Sequence, residues 1–168
     1  MEFGQAIASC FRKYVTFRGR APRSEYWFFV LFMFLVYFAT GILDSVLMGG
    51  QTTPEKLSPL TTIAWLVFFL PSLAVLVRRV HDTGWSGWIV GGLYILLLVV
   101  GFVLGIGVGM QAEGNLAAKE LYGVVGLLGL VVLAYGIFIF VLTLLKGHDG
   151  PNRYGPDPFG TGDAEVFR

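Results

Sequence analysis

Four apolar runs punctuate the chain at 26–47, 60–80, 89–110 and 121–145, and nearly all of its charge lies between or beyond them. Each is long enough to cross a bilayer as a helix, which takes roughly 20 residues at about 1.5 Å rise each. A water-soluble chain of 168 residues has no room to bury four helices that are apolar on every side, because its surface needs polar faces. The pattern predicts an all-α membrane protein with four transmembrane helices. Ahead of the first run the period changes. Phe3, Ala6, Ile7, Cys10, Phe11 and Tyr14 recur at spacings of three and four, with Gln5, Ser9, Arg12, Lys13 and Thr16 on the other side. That is the period of an amphipathic interfacial helix. Two placements satisfy the stripe: flat in the membrane surface, or packed on the bundle. The organisation expected is an amphipathic N-terminal segment (1–25), a four-helix membrane domain (26–145) and a Gly/Pro-rich tail (146–168).

Interruptions within the runs add detail. Pro71 removes a backbone donor from the second helix and predicts a kink there. Gly84 marks a stop, and Ser86 is placed to cap the third helix. The connection between them is short enough to make helices two and three antiparallel neighbours. Gly87, Gly91, Gly101, Gly105 and Gly109 on the third helix, with Gly123, Gly126 and Gly129 on the fourth, form small-residue faces. Such faces let helices approach closely, inside the bundle or across a homo-oligomer interface.

Composition agrees: 55% of residues are hydrophobic and only 14% charged, against about 25% charged in soluble domains. There is no independent soluble domain to expect. The net charge of +1 gives no argument for nucleic acid. Cys10 is the single cysteine, so no intrachain disulfide forms and no thiolate metal site is indicated. The first 25 residues lack the central apolar run of a cleaved signal peptide, so the first helix is expected to act as an uncleaved anchor.

The positive charges are unevenly placed. Arg12, Lys13, Arg18, Arg20 and Arg23 precede helix one, Arg78 and Arg79 end helix two, and Lys146, Arg153 and Arg168 follow helix four. The two opposite loops hold only Lys56 and Lys119. Cytoplasmic loops retain positive charge. Both termini and the 81–86 turn are therefore expected in the cytoplasm, with 48–59 and 111–120 outside. Trp27, Trp85 and Trp88 fall at the same cytoplasmic interface.

Polar motifs concentrate in three segments on that side: 17–27, 78–88 and 146–158. They contain Gly19-Arg20-Ala21 through Ser24-Glu25-Tyr26-Trp27, then Arg78-Arg79 with His81-Asp82, Gly84 and Ser86-Gly87-Trp88, then Asn152-Arg153-Tyr154-Gly155 with Asp157-Pro158. Taken together, these residues resemble the bacterial inner-membrane proteins grouped as "domain of unknown function 805", from about Phe11 to Pro158. Phe28 stands where that family commonly has a second Trp, and Val80 where Leu is common; both keep apolar character. The resemblance implies a small multi-pass protein of the bacterial inner membrane. It implies no reaction.

The residues themselves point to anions. Arginine forks suit phosphate and carboxylate, and the cations outnumber Glu25, Asp82 and Asp157. Arg20, Arg23, Glu25, Arg78, Arg79, His81, Asp82, Asn152 and Arg153 form a candidate site for an anionic lipid headgroup or a partner. Internal pairing of the arginines with the three carboxylates is the other reading, and the two are compatible. His81 is expected to pair with Glu25 or a backbone carbonyl, and His148 to be solvated. Ser24 and Ser86 read as helix caps. No catalytic residue, metal or cofactor is expected. A small oligomeric transporter or channel is the alternative function, and a membrane-embedded enzyme using His81 a third. Asp44, the one carboxylate within the four runs, discriminates the transporter reading. Its plainer role is interfacial solvation or capping beside helix two.

Overall fold

The computed structural model describes residues 1–49, 58–112, 118–158 and 160. Among these, five helices follow in order: α1 (Phe3–Arg12), α2 (Arg23–Leu47), α3 (Pro59–Asp82), α4 (Trp88–Ala112) and α5 (Ala118–Leu144). The last four are long and apolar enough to cross a membrane. Lys56 and Arg168, which entered the charge argument, lie outside the described residues, as does the side chain of Lys119. The chain forms two compact units. One holds α1, α2, α3 and the tail from Lys146; the other is Trp85–Leu145.

Two helices run past their apolar limits, and this puts charge on helical ends. α2 starts at Arg23 because Pro22 sits at its N-cap with φ −69°, the value its ring imposes. α3 continues through Arg78, Arg79, His81 and Asp82 to a Thr83 cap. It stops at Gly84, whose φ of +85° suits glycine, and whose N–H returns to the His81 carbonyl at 3.0 Å.

In the first unit α1 packs on α2 and α3, so part of its stripe is used internally, while Phe3 and Phe11 stay more than a third exposed. Ala6 and Cys10 are fully buried. The Phe11 ring lies 6.0 Å from Phe29, 6.2 Å from Phe32 and 6.1 Å from Phe68, the spacing of favourable aromatic pairs. Tyr14, just after α1, repairs a defect in α3. Pro71 has no N–H, so the carbonyl four residues earlier, on Val67, loses its helical donor. The Tyr14 hydroxyl donates to that carbonyl. At the other end of the unit, the Asp44 carboxylate accepts the N–H groups of Leu60 (3.0 Å) and Thr61 (2.9 Å). Asp44 is thus a cap for α3 supplied from α2.

The second unit is the antiparallel α4–α5 hairpin. Its close approaches are aromatic over glycine. Tyr135 donates to the Ile89 carbonyl at 2.9 Å, and a Cβ at Gly92 would come within 3.0 Å of that hydroxyl. Gly107 faces Tyr122 in the same way, at 3.3 Å. Gly101, Gly105, Gly109, Gly123, Gly126 and Gly129 meet no other side chain in the hairpin. Ser86 accepts from the Trp88 N–H at 3.4 Å as α4 begins.

Candidate anion site

At the end of the first unit where α2 begins and α3 ends, two carboxylates are buried, each shared by two cations. Glu25, 1% exposed, accepts from Arg78 Nη1 at 2.6 Å, with Lys13 Nζ 3.7 Å away. Ser9 donates to the same oxygen at 3.2 Å, and the Cys10 thiol lies 3.9 Å from it. Burial, and then the Glu25 charge, push the Cys10 thiol up to about 12. The Nε and Nη2 atoms of Arg78 have no hydrogen-bond acceptor among the described residues. Asp82 accepts from Arg20 Nε at 2.9 Å on one oxygen and from Arg79 Nη1 on the other. Both arginines are buried. The remaining arms of Arg20 reach the His148 and Gly150 carbonyls.

The last carbonyls of a helix have no partners within it. Here remote segments supply them. The Ala21 N–H donates to the Arg78 carbonyl at 3.0 Å and the His148 N–H to the Asp82 carbonyl at 2.8 Å. Asn152 Nδ2 donates to the His81 carbonyl at 3.0 Å and Arg153 Nη2 to the Gly84 carbonyl at 3.2 Å. Asn152 and Gly155 exchange two backbone hydrogen bonds of 3.0 Å, and this turn lays the Tyr154 ring on His81, centroids 3.8 Å apart and 7° from parallel. The Arg153 guanidinium carbon lies over the Tyr154 ring, 4.8 Å from its centroid. His81 Nδ1 lies 3.2 Å from the Gly19 carbonyl. A carbonyl only accepts, so Nδ1 carries the hydrogen.

A cavity of about 390 Å³ opens beside this cluster, lined by Arg20, Arg23, Ser24, Asp82, Lys146 and His148 among others. Gly147 also lines it. A Cβ there would fall against the Asp82 carboxyl, 2.6 Å from its carbon, so only glycine lets the tail pass this close.

All nine candidate residues therefore gather at one end of one unit, in three roles. Arg20, Arg23 and Asp82 line the cavity, with Arg79 behind Asp82. Glu25 and Arg78 form a separate pair under α1. His81, Asn152 and Arg153 fasten the tail. His81 takes a carbonyl, not Glu25, and the His148 side chain is exposed. Ser24 does not cap its helix: among the described residues no side chain caps α2, and the buried Ser24 hydroxyl has no hydrogen-bond partner. It stands inside the first turn, past the N-cap position held by Pro22. Ser9, Lys13 and Lys146 also belong to this end of the unit. Only the spacing of Ser9 and Lys13, one turn apart on the polar side of α1, hinted at a shared acceptor.

Four apolar spans after a short N-terminal helix, with the ion pairs of the described residues at or beyond helix ends, define a multi-pass integral membrane protein. The chain belongs to the family described as "Protein of unknown function (DUF805)", which it matches over residues 14–156. It is 33% identical over 147 residues to "Inner membrane protein YhaH" of Escherichia coli (strain K12), covering 88% of this chain and 90% of that protein. It is 32% identical over 154 residues to "Inner membrane protein YhaI" of the same organism, covering 92% and 95%. No solved structure matches it. The protein is thus an integral protein of the inner membrane.

Proposed function

We propose that this is a non-catalytic inner-membrane protein whose polar cluster faces the cytoplasm and holds an anionic lipid headgroup. The observation that supports it is the imbalance at the two buried carboxylates. Arg78 and Lys13 share Glu25, and Arg20 and Arg79 share Asp82. Each of these carboxylates is thus approached by two cations. Lys146 adds a cation at the cavity. Its pairing with Asp149 is 2.9 Å long, but both side chains are at least 75% exposed, where such a pair is worth little and yields readily to a competing phosphate. The cavity lies where α2 and α3 begin and end, the level of lipid headgroups if these helices span the bilayer. In this reading 1–25 and 146–168 are the cytoplasmic segments flanking the membrane domain, both termini being inside. The glycine faces of the α4–α5 hairpin remain available to a second copy.

The test uses the exposed cations, since Arg20 and Arg79 are buried in the fold. Arg23→Gln with Lys146→Gln should lower phosphatidylglycerol retained in native mass spectra several-fold, with helicity unchanged. Equal retention by the folded double variant rejects the lipid reading. The transporter alternative loses support from Asp44, both of whose oxygens are engaged in capping α3.

A further inference from the structure

We infer that the outer side of α1, with the turn that follows it to Arg18, is a docking surface for the bilayer leaflet. Its apolar side chains enter the acyl boundary, and Arg12 and Arg18 hold the phosphates of anionic lipids. This surface is separate from the cavity lined by Arg23 and does not depend on it. Two placements fit the sequence of α1, flat in the membrane surface or packed on the bundle, and the geometry meets both at once. Phe3 and Phe11 are eight residues apart, about 12 Å of helix. Their ring partners on α2 are Phe28 for Phe3, at 5.8 Å, and Phe29 and Phe32 for Phe11, at 6.0 and 6.2 Å. These partners fall within about 6 Å along α2. α1 therefore lies across α2, and because α2 spans the membrane, α1 lies near the membrane plane. The partners stand three to seven residues past Glu25, about 5–10 Å toward the middle of the span. That is the depth at which an interfacial amphipathic helix rests. Tyr14 marks the deep side. Its hydroxyl reaches the Val67 carbonyl, about 16 Å along α3 from Arg78.

On α1 itself, Phe3, Ile7 and Phe11 fall on one side at intervals of four residues, with Gln5 and Arg12 on the opposite side. Phe11 reaches the deepest ring partners, Phe32 and Phe68, so the apolar side faces the acyl region and the polar side the headgroups. The bundle uses only part of that apolar side. Phe3 and Phe11 remain 37% and 38% exposed, and past the helix Val15 and Phe17 are 60% and 37% exposed. At this depth acyl chains are what covers them; a soluble partner would have to pass below the headgroups to reach them. The cations complete the surface. Lys13 is turned to Glu25 and Arg20 to Asp82, but Arg12 and Arg18 are exposed and enter none of the ion pairs of the described residues. Glu2 is the one acid ahead of Glu25, and its side chain is engaged in the capping box at the far end of α1. The positive charge beside the exposed apolar groups is therefore not neutralised by the protein. Arginine stems lie along apolar surface while the guanidinium stays among headgroups, where it pairs with lipid phosphate.

The experiment uses the full chain in nanodiscs of phosphatidylcholine with and without phosphatidylglycerol. Native Cys10 is buried, so an environment-sensitive fluorophore on Val15→Cys reports one position. Its emission should shift to the blue and be quenched by acyl chains brominated near the headgroup, but not by aqueous iodide. The same fluorophore on Lys146→Cys, at an exposed position, should be quenched by iodide. Iodide quenching at Val15 without quenching by the brominated chains overturns the docking. Arg12→Gln with Arg18→Gln breaks no ion pair of the described residues, so helicity and thermal midpoint in detergent should hold. Its preference for phosphatidylglycerol over phosphatidylcholine in native mass spectra should fall about fivefold for each cation removed. An unchanged preference in the folded double variant overturns the anionic-lipid assignment. If the preference falls only in the Arg23/Lys146 variant, the lipid sits at the cavity and not on α1; a fall in both variants places lipid at each.

Discussion

The Glu25–Arg78 pair illustrates how much can hang on one carboxylate. Both side chains are 1% exposed, and removing one partner of such a pair leaves a buried charge uncompensated. Glu25→Ala should therefore cost about 3 kcal/mol or more, read as a lowered thermal midpoint by circular dichroism in detergent. The neighbouring Cys10 makes a second, pH-dependent prediction. Its ordinary value of 9.0 is raised to about 12 in the folded chain. Between those values the folded state keeps the proton that the unfolded state has released, so stability should fall as pH rises from 9 to 12. At pH 8 the native thiol should alkylate far more slowly than the denatured one, in a maleimide assay with and without denaturant. Rapid native alkylation would show that α1 does not bury Cys10 against α2 and α3. Pairing of Glu25 with an arginine was among the readings the sequence allowed, but its particular partners were not legible. The sequence placed Glu25 in a motif and Cys10 on an apolar stripe, but which cation meets which acid depends on distances that no spacing encodes.

At the level of elements, α3 is held by groups from outside itself along its whole length. Asp44 caps its start, Tyr14 serves the carbonyl freed by Pro71, and the segment before α2 and the tail serve its end. Tyr14→Phe should then cost about 1 kcal/mol, the typical worth of one hydrogen bond, and Pro71→Ala in the same background should recover much of it, because the restored N–H serves Val67. The non-additivity, measured as a thermal double-mutant cycle, separates this explanation from simple loss of packing around Tyr14. Asp44→Ala should cost about 1–2 kcal/mol as a lost helix cap, again read as the thermal midpoint. The four spans, Pro71 and the stop at Gly84 were all readable from period and composition. The link from Tyr14 to Pro71 was not, because it joins positions far apart in sequence through a backbone atom, which leaves no pattern in the side chains. Ser24 was misread for a related reason: serine near a helix start usually caps, and only the geometry shows that Pro22 already holds that position.

On the scale of the whole molecule, the first unit turns a charge asymmetry in the sequence into one in space. Arg20, Arg78, Arg79 and Arg153 lie at the end where α2 starts and α3 stops, while Asp44 and the start of α3 lie at the other. α2, at 25 residues, reaches about 37 Å, longer than a hydrocarbon core of about 30 Å. Its first turn can thus stay among headgroups while the rest spans. Positive ends resist translocation, so the cationic end should face the cytoplasm. Impermeant maleimide on spheroplasts tests this directly. The native Cys10 is buried and makes a quiet background. A cysteine replacing Gln51, in the segment expected outside, should label in intact spheroplasts, and one replacing the exposed Lys146 should label only after lysis. The reverse pattern would place the arginine cluster on the far side of the membrane, where cytoplasmic phosphate compounds do not reach it, and would remove the ground for a cytoplasmic ligand while leaving the buried ion pairs as structural features alone.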